Sequence, residues 1–556
     1  MPTYEDDYDA SVGRRRFRVQ GGMQVIAIAI LSLCALALWA FFQFEGLRSP
    51  AVMEQAAVAR NLASGRGFVT HVVRPFDLWM IGMSEEATTG PIPVLWHAPF
   101  YPYVLAGAYR LVRPAYAFSL SGLMDAEVRV MVPLSILLLL LTAWAIWSLA
   151  RHLYDERVAR LSAAVFLVSP LSLQLVLETG AMPLAMVLAA LLGLLAWKAV
   201  ASSLAPNRQW MVLLYTVCAG ITGGLVVLTD YRAILLALGI VVFLGVNLQR
   251  HRWLWVGLYS VMVLAVLLPW VLSQRAYGWW GVMAYPYGAL LETTAFPADT
   301  LLRDPEPVLR NWQVALGIRE GLAQRCAMLL DGRSLLAAGF VLVFFLVSLF
   351  QSDEHHWNRY LKWIVVVLFV LSPVFPMIPG ASHGVWAIVF PFMVLFGVQA
   401  FCALLEKEEF FDPSAKPILT GLFVVLCLLP SGTRLLQRGA ERPYPPYHGS
   451  LQAYVGHWVQ PEQVLVTDIP WATAWYGGQV SLLWPNLAED VLRYGETVGA
   501  IYLAGTESGR VVDPVWQRMR FDAVVPEGYP YVSGMFLPTG QREQILLLRA
   551  ARTDQE

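Results

Sequence analysis

Charge is scarce in this chain. Only 14% of its 556 residues are Asp, Glu, Lys or Arg, against about a quarter in an ordinary soluble domain. So little charge excludes a conventional water-soluble globule of this length. The two signs nearly cancel, to a formal net charge of -1, and nothing in that balance suggests a nucleic-acid partner. Cysteine is scarce too. Cys34, Cys218, Cys402 and Cys427 fall in apolar runs and Cys326 in a polar loop, so neither a disulfide framework nor a thiolate metal site is expected. No GxxxxGK loop, HExxH helix or CxxC pair occurs, which removes the commonest signatures of nucleotide hydrolysis, zinc proteolysis and dithiol chemistry.

What remains is apolar: 57% of the residues are hydrophobic, and they are gathered into about eleven long runs. Runs of this length are transmembrane helices, because a lipid-exposed backbone must satisfy its polar groups within its own segment. The expected spans cover about 23–44, 129–150, 161–177, 181–200, 211–229, 233–248, 253–273, 335–350, 361–378, 385–405 and 417–430. Few charged residues lie deep within them, which argues against a proton relay or ion pump. Arg14, Arg15, Arg16 and Arg18 precede the first run, and basic residues recur in alternate short loops. The positive-inside rule then puts the N-terminus in the cytoplasm.

This reading gives a cytoplasmic tail (1–22), a membrane domain (23–430) with outer loops at 45–128 and 274–333, and a periplasmic domain (431–556). The first run has no small-residue cleavage site after it and reads as a retained anchor. In the first outer loop, Val52, Ala56, Ala59 and Leu62 have helical spacing that stops at Gly65-Arg66-Gly67. His97–Leu111 reads as an aromatic-rich amphipathic helix at the interface. In the tail, Val464–Thr467, Val480–Leu483, Ala500–Leu503, Ala523–Val525 and Gln544–Leu548 read as strands. Helical stretches at Leu451–Val459 and around Glu489–Tyr494 complete a small α/β domain.

Chemistry is sought among polar residues just beyond the spans. Glu54 lies on the first outer helix, where a carboxylate suits a general base. Arg60, Arg66, Arg74, Arg232 and Arg275 are outer-face cations whose planar forks match phosphate oxygens. Asp230 and Arg232 are close enough in sequence to form a structural pair or a phosphate site. His97 and His383 are candidates to polarise a phosphate or carry a proton. No carboxylate cluster demands a metal, and a divalent cation remains compatible.

Met53-Glu54-Gln55-Ala56 through Gly65-Arg66-Gly67-Phe68 resembles the first outer loop of bacterial integral-membrane glycosyltransferases of the GT-C fold. These include relatives of the protein O-mannosyltransferases (glycosyltransferase family 39-like) and of the lipid A aminoarabinose transferases. Trp96-His97-Ala98-Pro99-Phe100-Tyr101-Pro102 is similar to the start of their second juxtamembrane helix. Gly224-Leu225 through Thr229-Asp230-Tyr231-Arg232 is similar to their Gly-Leu-x-x-Leu-Thr-Arg-Tyr segment. Leu268-Pro269-Trp270 and Val464–Gly477 match further segments in the same order.

The resemblance implies an inner-membrane enzyme that moves a sugar from a polyprenyl-phosphate donor to a glycan, lipid or protein acceptor on the outer face, with inversion. It also implies Glu54 as base. Two departures stand out. Ser49-Pro50-Ala51 replaces the usual upstream Asp-Glu pair, and Ser382-His383 replaces an Arg-Tyr before the tenth span. The competing expectation is a non-catalytic protein of the same fold, a lipid-linked sugar flippase or an envelope-assembly partner.

Overall fold

The structure is a computed structural model. It describes residues 30–81, 90–119, 122–204, 208–249, 251–279, 281–282, 284, 339–351, 356–371, 386–406, 414–436, 449–456, 459–460, 463–484, 498–503, 518, 531–533 and 545–548. His383, Cys326, the second outer loop beyond residue 284, and the expected elements at 489–494 and 523–525 lie outside them.

The N-terminal half runs α1 (Ile30–Gln43), α2 (Pro50–Ala63), β1 (Val69–Thr70), β2 (Val72–Val73), α3 (Pro75–Ile81), β3 (Ile92–Pro93) and α4 (Phe100–Val112). The bundle follows with α5 (Val132–Leu153), α6 (Glu156–Val168), α7 (Pro170–Glu178), α8 (Met182–Ser203), α9 (Gln209–Thr229), α10 (Ile234–Asn247) and α11 (Arg252–Ser273). Further helices cover Val341–Ser348, His356–Leu371, Trp386–Glu406 and Lys416–Leu436. A helix therefore overlaps each apolar run read from the sequence. Among the described residues, five helices are long and apolar enough to cross a membrane, or six if one bent pair counts as a single span.

That bent pair is α6–α7, expected as one straight run at 161–177. It turns by 50° because Ser169 leaves helical geometry and accepts from the Ser172 N–H, while Pro170 starts the next helix at a position that needs no N–H. The centre of the bundle is the helix Trp386–Glu406, buried on all sides from Trp386 to Val398, as an interior helix should be. Elsewhere the packing depends on small residues. A Cβ at Gly220 of α9 would lie 2.8 Å from the Tyr259 carbonyl oxygen of α11, so the close approach of these two helices requires glycine there.

The loop after α1 and the tail contribute strands to one sheet. A six-stranded sheet has the order β2-β5-β4-β6-β8-β7, with β4 (Val464–Thr467), β5 (Ser481–Leu483), β6 (Val498–Leu503), β7 (Tyr531–Ser533) and β8 (Ile545–Leu548) drawn from the tail. Its edge strand β2 comes from the long loop after α1 and pairs parallel with β5, Val72 opposite Ser481 and Val73 opposite Leu482. The Ser481 N–H also donates to the His71 carbonyl at 2.8 Å. The first loop and the tail thus share one sheet.

Candidate active site

Helix α2 has Pro50 at its first turn and is closed by Gly65, which takes the positive φ of 82° that L side chains rarely adopt. Almost all its residues from Ala51 to Leu62 are buried. It therefore carries Glu54 into the interior of the protein rather than to its surface. Asn61 donates to the Val69 carbonyl at 2.9 Å, which fixes the turn from α2 into β1. The chain then crosses β2 and delivers Arg74. Strand β3 pairs with β1 and delivers Trp96 and His97 just before α4.

These residues meet at one carboxylate. Arg74 grips Glu54 with two nitrogens: Nη1 lies 3.1 Å from Oε1, and Nη2 donates to Oε2. His97 Nε2 lies 3.0 Å from the same Oε2. The Trp471 indole N–H, from the tail, donates to it at 3.3 Å. A second carboxylate, Asp77 of α3, accepts from the Arg74 backbone N–H at 3.1 Å, from Arg74 Nη1 at 3.4 Å and from the Trp96 indole N–H. The guanidinium is flanked by two indoles, 5.5 Å from the Trp96 ring centre and 5.8 Å from that of Trp471. Glu54, Arg74, Asp77 and His97 are each at most 1% exposed.

The electrostatics separate the two acids. Burial disfavours the charged form of Glu54, but Arg74 and His97 outweigh it and hold its carboxyl well below the usual carboxylate range. Burial prevails at Asp77 and pushes it up to about 6, despite Arg74 and the Trp96 hydrogen bond, with the nearby Glu54 charge adding to the rise. His71, nearby in sequence, is pushed down to about 4 by burial and by Arg60 and Arg66. Two carboxylates on one guanidinium, driven apart in affinity for a proton, are a common arrangement in acid–base sites.

Of the residues named from sequence, the structure brings Glu54, Arg74 and His97 together. Arg60 is committed elsewhere. Its guanidinium donates to the Trp475 carbonyl at 3.0 Å and the Ala474 carbonyl at 3.1 Å, and sits over the Tyr116 and Trp475 rings. A fork spent on backbone carbonyls clamps the tail onto α2, in place of the substrate contact expected from the sequence. Arg60→Ala should cost about 2–3 kcal/mol, the scale of hydrogen bonds from a charged donor. It should also speed chymotryptic cleavage after Trp471, Trp475 or Tyr476, read by mass spectrometry; an unchanged cleavage rate would remove Arg60 from that role.

Asp230 and Arg232 form the structural pair. Asp230 caps the turn by accepting the Arg232 backbone N–H at 3.0 Å. It also accepts side-chain bonds from Arg232 Nε at 2.9 and 3.1 Å and from Nη2 at 2.6 Å, with both residues buried. The fork expected to meet a phosphate thus faces its own neighbour's carboxylate. Arg66 and Arg275 are exposed.

Sequence reasoning missed Asp77, Trp96, Trp471 and a buried pair beside them, in which Trp475 donates to Glu127 Oε1 at 2.8 Å. Glu127 and Trp475 each lie in a five-residue π-helical turn, Glu127–Met131 and Thr473–Gly477, a local form enriched at functional positions. No group of three His, Cys, Asp or Glu side chains able to hold a metal ion occurs among the described residues.

Comparison with known proteins agrees with this architecture. Residues 97–272, under half of the chain, match the family described as dolichyl-phosphate-mannose-protein mannosyltransferase. No curated protein sequence matches significantly. Among solved structures, ArnT from Cupriavidus metallidurans in the apo state is similar over 96% of this chain and 99% of its own, with a TM-score of 0.54 and 13% identity. The same protein bound to undecaprenyl phosphate is similar over 96% and 98%, with a TM-score of 0.54 and 12% identity. The Archaeoglobus fulgidus oligosaccharyltransferase in complex with zinc and sulfate is similar over 85% and 67%, with a TM-score of 0.55 and 12% identity. At these identities the likeness establishes the fold and nothing finer: the chain has the fold of these membrane proteins.

Proposed function

We propose that this chain, which has the GT-C fold, is a membrane glycosyltransferase. It moves a sugar from a polyprenyl-phosphate carrier to a glycan, lipid or protein acceptor at the outer face of the inner membrane, with inversion at the anomeric carbon. The observation that carries the reading is the convergence of Glu54, Arg74 and His97 where the first outer loop and the tail meet. The family match over residues 97–272 supports it, as does the structural likeness to a protein seen with undecaprenyl phosphate.

The chemistry follows from charge. Displacing a sugar from a lipid phosphate leaves negative charge on the departing oxygen and a proton to be taken from the acceptor. Arg74, with its guanidinium near two indoles and its fork on Glu54 and Asp77, keeps the site positive beside the departing charge and holds Glu54 ionised. Glu54 is the carboxylate on which proton removal depends. Arg60 and the Asp230–Arg232 pair hold the surrounding scaffold. A divalent cation is not required by this scheme.

The test uses the full chain in proteoliposomes with a panel of radiolabelled polyprenyl-phosphate sugars and an envelope lipid and peptide extract as acceptor. Label is expected to pass from the carrier to an acceptor fraction. Movement of intact carrier between leaflets without transfer would instead support a flippase and overturn the enzyme reading.

A further inference from the structure

We infer that the group taking the acceptor's proton is Nδ1 of His97, and that Glu54 acts through it as the orienting carboxylate. This rests on the glycosyl-transfer reading of the site and deepens it. The argument begins with the saturation of Glu54. Its two oxygens already accept from both terminal nitrogens of Arg74, from the Trp471 indole and from His97. Arg and Trp side chains can only donate, so the carboxyl is there as an ionised acceptor. A carboxylate occupied on both oxygens and fully buried is a poor place to put another proton.

The imidazole has the complementary property. An ionised carboxylate only accepts, so the 3.0 Å contact fixes the hydrogen on Nε2. In the neutral ring the lone pair is then on Nδ1. That atom is buried and has no hydrogen-bond partner among the described residues, and the residue is 0% exposed. A buried ring nitrogen without a partner is costly for a group with a purely structural role. Here one nitrogen is fixed by a carboxylate while the other is left to accept, which is the geometry of a carboxylate-supported general base.

The step balances. The acceptor hydroxyl gives its proton to Nδ1 as its oxygen forms a bond to the anomeric carbon. The bond from that carbon to the phosphate oxygen breaks, and its electron pair leaves with the polyprenyl phosphate. The imidazolium formed is stabilised by Glu54 through the Nε2 hydrogen, and the proton passes to solvent after the products part. Both side chains are fully buried, so the proton transfer takes place out of contact with bulk water.

Two readouts on the full chain in nanodiscs decide the matter. The first is turnover of the polyprenyl-phosphate sugar panel by His97→Gln, Glu54→Gln and the double variant. Both single changes should lower kcat about 10²–10⁴-fold, and the double variant should fall no further than the worse single one, because residues that act as a unit are not additive. A His97→Gln protein within tenfold of wild-type kcat, or losses that multiply in the double variant, would overturn the assignment. The second is solid-state ¹⁵N spectroscopy of histidine-labelled protein, with His97→Asn as the difference control. It should show that the neutral ring carries its hydrogen on Nε2 and leaves Nδ1 bare; a neutral ring protonated on Nδ1 would overturn it. If no donor is turned over by the wild type, the glycosyl-transfer reading fails while the tautomer still decides the state of His97.

Discussion

Glu54→Gln is expected to lower turnover by about 10²–10⁴-fold, the range for losing a positioned acid–base group, while the protein still folds. The expectation of folding comes from the second carboxylate. Arg74 is shared between Glu54 and Asp77, so removing one negative charge does not leave the guanidinium unpaired. Asp77 is held up to about 6 in part by the charge of Glu54. When that charge is gone, Asp77 ionises more readily and takes over as the counter-ion. The variant should be monodisperse on size exclusion, because Arg74 keeps Asp77 as a counter-ion. Near wild-type turnover in Glu54→Gln would remove this residue from the reaction, and loss of the folded protein would show that the two carboxylates are not interchangeable.

Arg74→Ala should have the largest effect on stability, about 3–5 kcal/mol, the cost of removing one partner from a buried ion pair. It strands Glu54 and Asp77 together in the interior. The pH dependence should reveal the cause. In the wild type, the Glu54 pKa lies below its ordinary 4.5, so its contribution to stability is present above about pH 4.5 and is lost as the pH falls further. Asp77 acts in the opposite sense. Its pKa is raised, so its contribution is present below its ordinary 3.8 and is lost as the pH rises through about 6. Without Arg74, burial dominates at both acids and raises both pKa values. Both then favour the fold most when protonated. The stability gap between variant and wild type should therefore be wide at pH 7.5 and narrower at pH 5, measured by thermal unfolding in detergent. A gap of constant size would show that the cost is lost packing between Trp96 and Trp471 rather than stranded charge.

Much of the architecture is legible in the sequence for a simple reason: lipid imposes length and composition on a span, and both are local properties. Helix α2 is legible for the same kind of reason, through its apolar spacing and its terminating Gly65. Glu54, Arg74 and His97 are legible as polar residues of the long loop after the first run. Asp77 had a local signal that went unused. Arg74-Pro75-Phe76-Asp77 places proline at the first helical position and an acid two residues on, where it reaches back to a backbone N–H. Trp471 had none, since it meets Glu54 across 417 positions of chain. The same distance hides the true occupation of Arg60, whose partners are carbonyls 414 and 415 positions away. Arg232 carries a different ambiguity. An Asp two residues from an Arg can close on itself or leave the fork open, and only the capped turn after α9 selects closure.

The edge strand β2 has a consequence for biogenesis. Val72 and Val73 are synthesised early, but their partners Ser481 and Leu482 are synthesised only after every hydrophobic run of the chain. Until then the first loop has neither its sheet neighbour nor the indole that closes over Glu54. Contacts this distant along the chain form late. A nascent or truncated chain ending before residue 471 would therefore lack both the β2 pairing and the Trp471 contact to Glu54, so the candidate site is completed only when translation is nearly finished.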